Sequence, residues 1–208
     1  AKHPEFHALF PENAKAQCLA DGFTWTEGPV YVPSRKAVIF SDVRQNKTWR
    51  WTDDQKLFLE EFPSHHQNGH CLDLNGNLIA CSHGLRALLR QEKHDGPWTT
   101  LANQYQGQKL NSPNDVALPS DGSLWFTDPP YGIDKAEEGY GGTKQQDGNY
   151  VYRIAPDGTL TAPIQDRYKP NGLVFADENT LYLADTGDAK TYIYDIQPDG
   201  TAAFQKEL

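Results

Sequence analysis

Asn114-Asp115-Val116-Ala117-Leu118, the turn Ser120-Asp121-Gly122, and Leu124-Trp125-Phe126-Thr127-Asp128 form one phrase: a polar residue, a short apolar strand, a tight turn and a second apolar strand ending in an acid. The phrase recurs on both sides. Upstream stand Asn68-Gly69-His70-Cys71-Leu72, Asn75-Gly76-Asn77 and Leu78-Ile79-Ala80-Cys81-Ser82. Earlier still come Glu27-Gly28-Pro29-Val30-Tyr31-Val32, Pro33-Ser34-Arg35 and Ala37-Val38-Ile39-Phe40-Ser41-Asp42. Downstream lie Asn171-Gly172-Leu173-Val174-Phe175, Asp177-Glu178-Asn179 and Leu181-Tyr182-Leu183-Ala184-Asp185. The opening residues are 41, 46 and 57 apart (68−27, 114−68, 171−114). The first two intervals suit a four-stranded blade, whose period is about 40–50 residues. A Gly-rich insertion, roughly Pro129 to Gly148, stretches the third.

Two further strands follow in each unit, such as Thr48 to Trp51 and Lys56 to Leu59 around Asp53-Asp54-Gln55. Pro156-Asp157-Gly158 and Pro198-Asp199-Gly200 are hairpin signals, because Gly supplies the positive φ that such turns need. The later strands alternate apolar and polar residues, whereas the first two of each unit are nearly continuous apolar runs. That contrast is expected when inner strands are covered on both faces and outer strands on one. Fourfold recurrence of one motif favours radial repetition over a sandwich. The expectation is an all-β fold, a single β-propeller domain over 1–208 with four readable blades near 23–62, 66–103, 112–166 and 169–208. Residues 1–22 are expected as an N-terminal closing segment with one weak strand around Ala16 to Leu19. Nothing reads as helical, and further blades are expected outside these 208 residues.

The chain carries a net charge of −9, with 38% hydrophobic and 12% aromatic residues, as a globular protein does. Such acidity argues against nucleic acid or anionic membrane surfaces as partners, and no apolar run approaches the roughly 20 residues of a membrane helix. Three cysteines without CxxC spacing read as free thiols, not a disulfide framework or thiolate metal site. The compartment, cytoplasm or periplasm, and the oligomeric state are not legible.

Chemistry enters through position. The first strand of a propeller blade lies innermost and begins at one mouth of the central channel. Glu27, Asn68, Asn114 and Asn171 occupy that start in the four units. One carboxylate and three carboxamides offer oxygen ligands with little excess charge, which suits a hard cation such as Ca²⁺, Mg²⁺ or Mn²⁺. His65, His66, His70 and His83 cluster in the second unit at spacings that match no zinc motif, and most read as surface or turn residues. His70, two residues after Asn68, is placed at the same mouth. The glycines of Gly139-Tyr140-Gly141-Gly142 read as a mobile loop, bordering a pocket or merely crossing the surface.

Four stretches together resemble the gluconolactonase, senescence-marker-protein and luciferin-regenerating-enzyme family, which is related to diisopropyl fluorophosphatase. They are Thr26-Glu27-Gly28-Pro29-Val30-Tyr31, Ser112-Pro113-Asn114-Asp115-Val116, Leu124-Trp125-Phe126-Thr127-Asp128-Pro129-Pro130-Tyr131-Gly132 and Lys169-Pro170-Asn171-Gly172-Leu173. The resemblance implies a six-bladed propeller with one catalytic divalent cation on its axis, Ca²⁺ foremost, with Mg²⁺, Mn²⁺ or Zn²⁺ as alternatives. It implies Glu27 and Asn171 as metal ligands and Asn114 as a ligand or a substrate and water contact. Asn68 and His70 join Asn114 as expected substrate-side residues. A further ligand and general base, an Asp, is expected beyond Leu208. The implied reaction is metal-dependent hydrolysis of a small sugar lactone. The alternatives are a non-enzymatic binding propeller and a related organophosphate or ester hydrolase.

Overall fold

A computed structural model describes residues 9–10 and 13–208. Four antiparallel four-stranded sheets follow one another along the chain, each with its strands in sequence order. Blade 1 comprises β1 (Thr26–Val32), β2 (Ala37–Asp42), β3 (Lys47–Thr52) and β4 (Leu57–Glu61). Blade 2 comprises β5 (Gln67–Leu72), β6 (Leu78–Ser82), β7 (Ala87–Gln91) and β8 (Trp98–Ala102). A ribbon of β9 (Gln104–Tyr105) and β10 (Gln108–Lys109) leads into blade 3, which holds β11 (Val116–Ala117), β12 (Leu124–Thr127), β13 (Asn149–Ile154) and β14 (Leu160–Arg167). Blade 4 holds β15 (Pro170–Phe175), β16 (Thr180–Asp185), β17 (Lys190–Ile196) and β18 (Ala202–Glu207). The fold is the expected four-blade propeller.

The core lies between blades. Ile79, Cys81 and Leu88 of blade 2 pack with Val116, Leu124, Phe126 and Tyr152 of blade 3. Trp125, Val151 and Ile164 of blade 3 pack with Leu173, Leu181, Leu183 and Tyr194 of blade 4. Val32 and Ile39 of blade 1 meet Leu78 of blade 2. Strand β12 shows why its sequence is apolar throughout. Successive side chains leave a strand on opposite faces, so Leu124 and Phe126 enter one layer while Trp125 enters the other.

Each second strand ends in a residue that fastens the loop leading into its own blade. Asp42 accepts hydrogen bonds from the backbone N–H groups of Thr24 and Trp25, at 2.9 and 3.0 Å. Asp128 accepts from Asn111 at 2.7 Å, and Asp185 from Tyr168 and Lys169 at 2.7 and 2.8 Å. In blade 2 the Ser82 hydroxyl donates to the His65 carbonyl at 2.8 Å instead. The recurrent Ser or Asp therefore holds the mouth loops in place.

Two sequence expectations require correction. No strand forms around Ala16 to Leu19; the segment crosses blade 1 without ladder partners, and Phe23 sets its ring edge-on to Phe40 and Trp49. The insertion does contain helix, in two single turns, α1 (Tyr131–Asp134) and α2 (Ala136–Gly139). A four-residue turn is too short to show the 3.6-residue period that marks a helix in sequence.

Candidate axial site

All four inner strands break register where the repeat places its Glu or Asn. Between Glu27 and Val30 strand β1 advances three residues while β2 advances two, from Ser41 to Ile39. The same offset separates Gln67 from His70 and Pro170 from Leu173. In blade 3 both residues of Asn114-Asp115 bond to Thr127: the Asn114 N–H donates to the Thr127 carbonyl at 2.9 Å, and the Thr127 N–H to the Asp115 carbonyl at 3.0 Å. A bulge of this kind re-aims a side chain. Glu27, Asn68, Asn114 and Asn171 thus occupy equivalent positions on one rim.

The strands meet closely there. A Cβ on Gly28, whose φ is +55°, would lie 2.1 Å from the Asn68 carbonyl oxygen. A Cβ on Gly69 would lie 2.7 Å from the Asn114 carbonyl oxygen and 2.5 Å from Asp115 Oδ1. Only glycine lets the backbones approach this far. The Gly69 N–H donates to the Asn114 carbonyl at 2.8 Å. The Asp115 carboxylate reaches across to blade 4, where Oδ2 accepts from the Leu173 N–H at 3.2 Å. Burial pushes the Asp115 carboxyl up to about 6, and the charge of Glu27 adds to the rise.

Between Asn68 and Asn114 lies His83, 1% exposed. Its Nδ1 lies 3.0 Å from the carbonyl oxygen of Glu138, in α2. Its Nε2 lies 3.2 Å from Nδ2 of both Asn68 and Asn114. Burial pulls the ring down to about 4, so it is neutral at neutral pH. No hydrogen bond among the described residues reaches Oδ1 of either asparagine, and neither oxygen is sealed from solvent. The Asn171 side chain likewise makes none among the described residues. Glu27 Oε1 accepts from the Trp25 indole at 3.3 Å.

Burial corrects the surface reading of the blade 2 histidines, since His66, His70 and His83 are all buried, while His83 does lie in a turn and His66 at a bend. His70 Nδ1 meets the Gly28 carbonyl at 2.8 Å, tying blade 2 to blade 1. His66 Nδ1 meets the Val43 carbonyl at 2.8 Å. Each ring spends a nitrogen on a backbone carbonyl distant in sequence, which residue spacing does not reveal.

The insertion is fastened over this rim. Arg44 of blade 1 holds Glu138 at 2.7 Å. The Asn46 side chain donates to the Tyr140 hydroxyl at 3.0 Å. Arg86 of blade 2 donates to the Thr143 carbonyl at 3.2 Å, and Ser112 of blade 3 to the Pro129 carbonyl at 2.6 Å. These contacts make it a pinned cap.

The donor set bears on the implied cation. Among the described residues no three His, Cys, Asp or Glu side chains gather as a metal-holding group. What the rim offers is one carboxylate and amide oxygens, of which those of Asn68, Asn114 and Asn171 accept no hydrogen bond among the described residues. That set fits a hard, oxygen-seeking cation better than zinc, which takes His and Cys nitrogen and sulfur.

Four sequential four-stranded sheets whose inner strands start at Glu27, Asn68, Asn114 and Asn171 define the class: a β-propeller. The chain belongs to the SMP-30/Gluconolactonase/LRE-like family, whose description matches residues 25–208. It is 61% identical, with a TM-score of 0.96, to an X-ray structure of a structural-genomics target carrying a provisional gluconolactonase assignment, over 99% of this chain and 71% of that one. It is 34% identical, with a TM-score of 0.84, to a gluconolactonase from Xanthomonas campestris, over 91% of this chain and 63% of that one. A gluconolactonase of Zymomonas mobilis is 28% identical over 213 residues, 95% of this chain. The chain spans 59% of that relative's length. No helix among the described residues is long and apolar enough to cross a membrane.

Proposed function

We propose that the protein hydrolyses the ring ester of a sugar lactone such as gluconolactone, with the axial rim as its substrate site and a divalent cation, calcium foremost, as its cofactor. The supporting observation is the pair of buried amides, Asn68 and Asn114, which share one ring nitrogen while neither side-chain oxygen accepts a hydrogen bond among the described residues. The gluconolactonase names of the Xanthomonas and Zymomonas relatives point to the same chemistry.

Glu27, Asn114 and Asn171 would hold the cation. When bound, a cation of this type supplies Lewis-acid polarisation of an ester carbonyl. The remaining work falls to the chain. The amide oxygens of Asn68 and Asn114 accept hydrogen bonds from sugar hydroxyls and orient the ring. His70, with Nδ1 at the Gly28 carbonyl and Nε2 3.4 Å from Gln67 Oε1, serves the substrate side by holding the inner strands of blades 1 and 2 together. The pinned insertion shields the rim from bulk water, which strengthens each polar contact inside.

Glu27→Gln removes the only charge of the four-residue ring while keeping its shape. We expect it to weaken Ca²⁺ affinity and to lower kcat/KM for gluconolactone by about 10²-fold or more. Calorimetric titration and a pH-stat assay of ring opening measure the two effects. Full turnover by the variant would remove Glu27 from the site. Turnover of phosphate esters with none of lactones would move the reading to an organophosphate hydrolase. Binding of lactones without turnover would make the propeller a binding module.

A further inference from the structure

We infer that His83 is a positioning residue that sets the amide orientation of Asn68 and Asn114 together, so that both turn their oxygens toward substrate and cation. The geometry of this lock stands by itself; its consequence for catalysis rests on the lactone-hydrolase reading.

The argument starts at the Glu138 carbonyl, 3.0 Å from His83 Nδ1. A carbonyl oxygen only accepts, so Nδ1 carries the hydrogen. The ring is 1% exposed and no carboxylate among the described residues hydrogen-bonds to it, so nothing there compensates a buried positive charge; in the neutral imidazole the other nitrogen is then bare and accepts. Nε2 has an asparagine side chain on each of two blades, both at 3.2 Å. An amide oxygen turned toward that bare nitrogen would set lone pair against lone pair. Each asparagine must therefore donate from Nδ2, and its Oδ1 takes the other fork of the planar amide. One backbone carbonyl thus selects one ring tautomer, and the tautomer selects two side-chain orientations.

An asparagine amide is nearly symmetric in shape, and only its hydrogen-bond partners distinguish its two orientations. With no acceptor at His83, both amides would be free to invert. An inverted amide presents N–H donors, which repel a cation and cannot accept from a sugar hydroxyl. The lock originates in the insertion. Glu138 is held by Arg44 at 2.7 Å and Lys135 at 3.3 Å, so the cap is coupled to the rim through the ring. His83 needs no contact with the reacting atoms; it acts through the asparagines.

Two measurements test this. The first uses the unaltered protein: ¹⁵N spectroscopy of the histidine rings is expected to show His83 protonated at Nδ1 and bare at Nε2. A ring protonated at Nε2 overturns the inference. The second compares His83→Phe, which fills the space without an acceptor, with His83→Gln, whose side-chain oxygen restores one. His83→Phe is expected to weaken Ca²⁺ binding by tenfold or more in calorimetry and to lower kcat/KM similarly, with His83→Gln recovering part of both. A folded His83→Phe whose Ca²⁺ affinity stays within twofold of the parent also overturns it. If neither variant folds, the tautomer measurement decides. If the parent hydrolyses no lactone, the functional reading falls, while tautomer and calcium titration still decide the lock.

Discussion

His70 carries an imidazole that burial holds at about 4, against an ordinary value of 6.5. The folded protein keeps this ring neutral where the unfolded chain would protonate it. The stability it contributes is therefore fully present above about pH 6.5 and is lost as pH falls toward 4. The carboxyls of Asp115 and Asp128, raised by burial to about 6 and about 7, act oppositely across part of that window. A difference measurement isolates the histidine. His70→Gln, which retains a donor for the Gly28 carbonyl, is expected to narrow its stability deficit as pH drops from 7 to 4.5. Urea denaturation at the two values reads this directly, and a deficit unchanged with pH would show that the ring is not held neutral. At this scale the rim was legible where the repeat supplied it: Glu27, Asn68, Asn114 and Asn171 stand at one register position. His83 was not, because its partner is a backbone carbonyl 55 residues downstream in a non-repeating insertion. The tautomer logic appears only once the chain has folded.

The elements of the fold rest on a few side chains that accept from the backbone. Asp185 is 1% exposed and gathers three N–H groups, from Tyr168, Lys169 and Gly187, at 2.7 to 2.8 Å. Asp185→Ala leaves those donors without their acceptor and is expected to cost about 1–3 kcal/mol. Thermal unfolding should show a lowered Tm, and hydrogen exchange should quicken at 168 and 169 before the strands of blade 4 respond. Unchanged exchange there would mean that the loop is held by other contacts. The strands were legible because turn residues bound each of them and apolar runs distinguish inner from outer positions. That the terminal Ser or Asp serves as a brace was not, since a polar residue at a strand end also fits a plain turn. Helices α1 and α2 escaped because their stability comes from being pinned at both ends, not from an apolar stripe.

Across the whole molecule, cohesion comes from layers shared by neighbouring blades. Trp125 is fully buried in the layer between blades 3 and 4, edge-on to Phe175 at 5.8 Å. Trp125→Ala should cost about 3–5 kcal/mol. Leu59, half exposed on the outer strand of blade 1, should change stability by no more than about 0.5 kcal/mol when cut to Ala. Chemical denaturation of the two variants checks the contrast, and equal losses would place the core elsewhere. Radial stacking was legible from recurrence and from apolar runs too continuous for a strand with one wet face. The pairing of particular residues across blades was not, because it depends on which face of each strand meets which neighbour.

One extra residue in each inner strand uncouples the rim from the layers behind it. Past the bulge the alternation starts afresh, so Val30, Leu72, Val116 and Leu173 reach their apolar clusters whatever side chain stands at 27, 68, 114 or 171. Those four places behave as sockets. Exchanging their occupants rewrites the charge and donor pattern at the opening while the interior wedges stay put, so one scaffold can host different chemistries without being rebuilt.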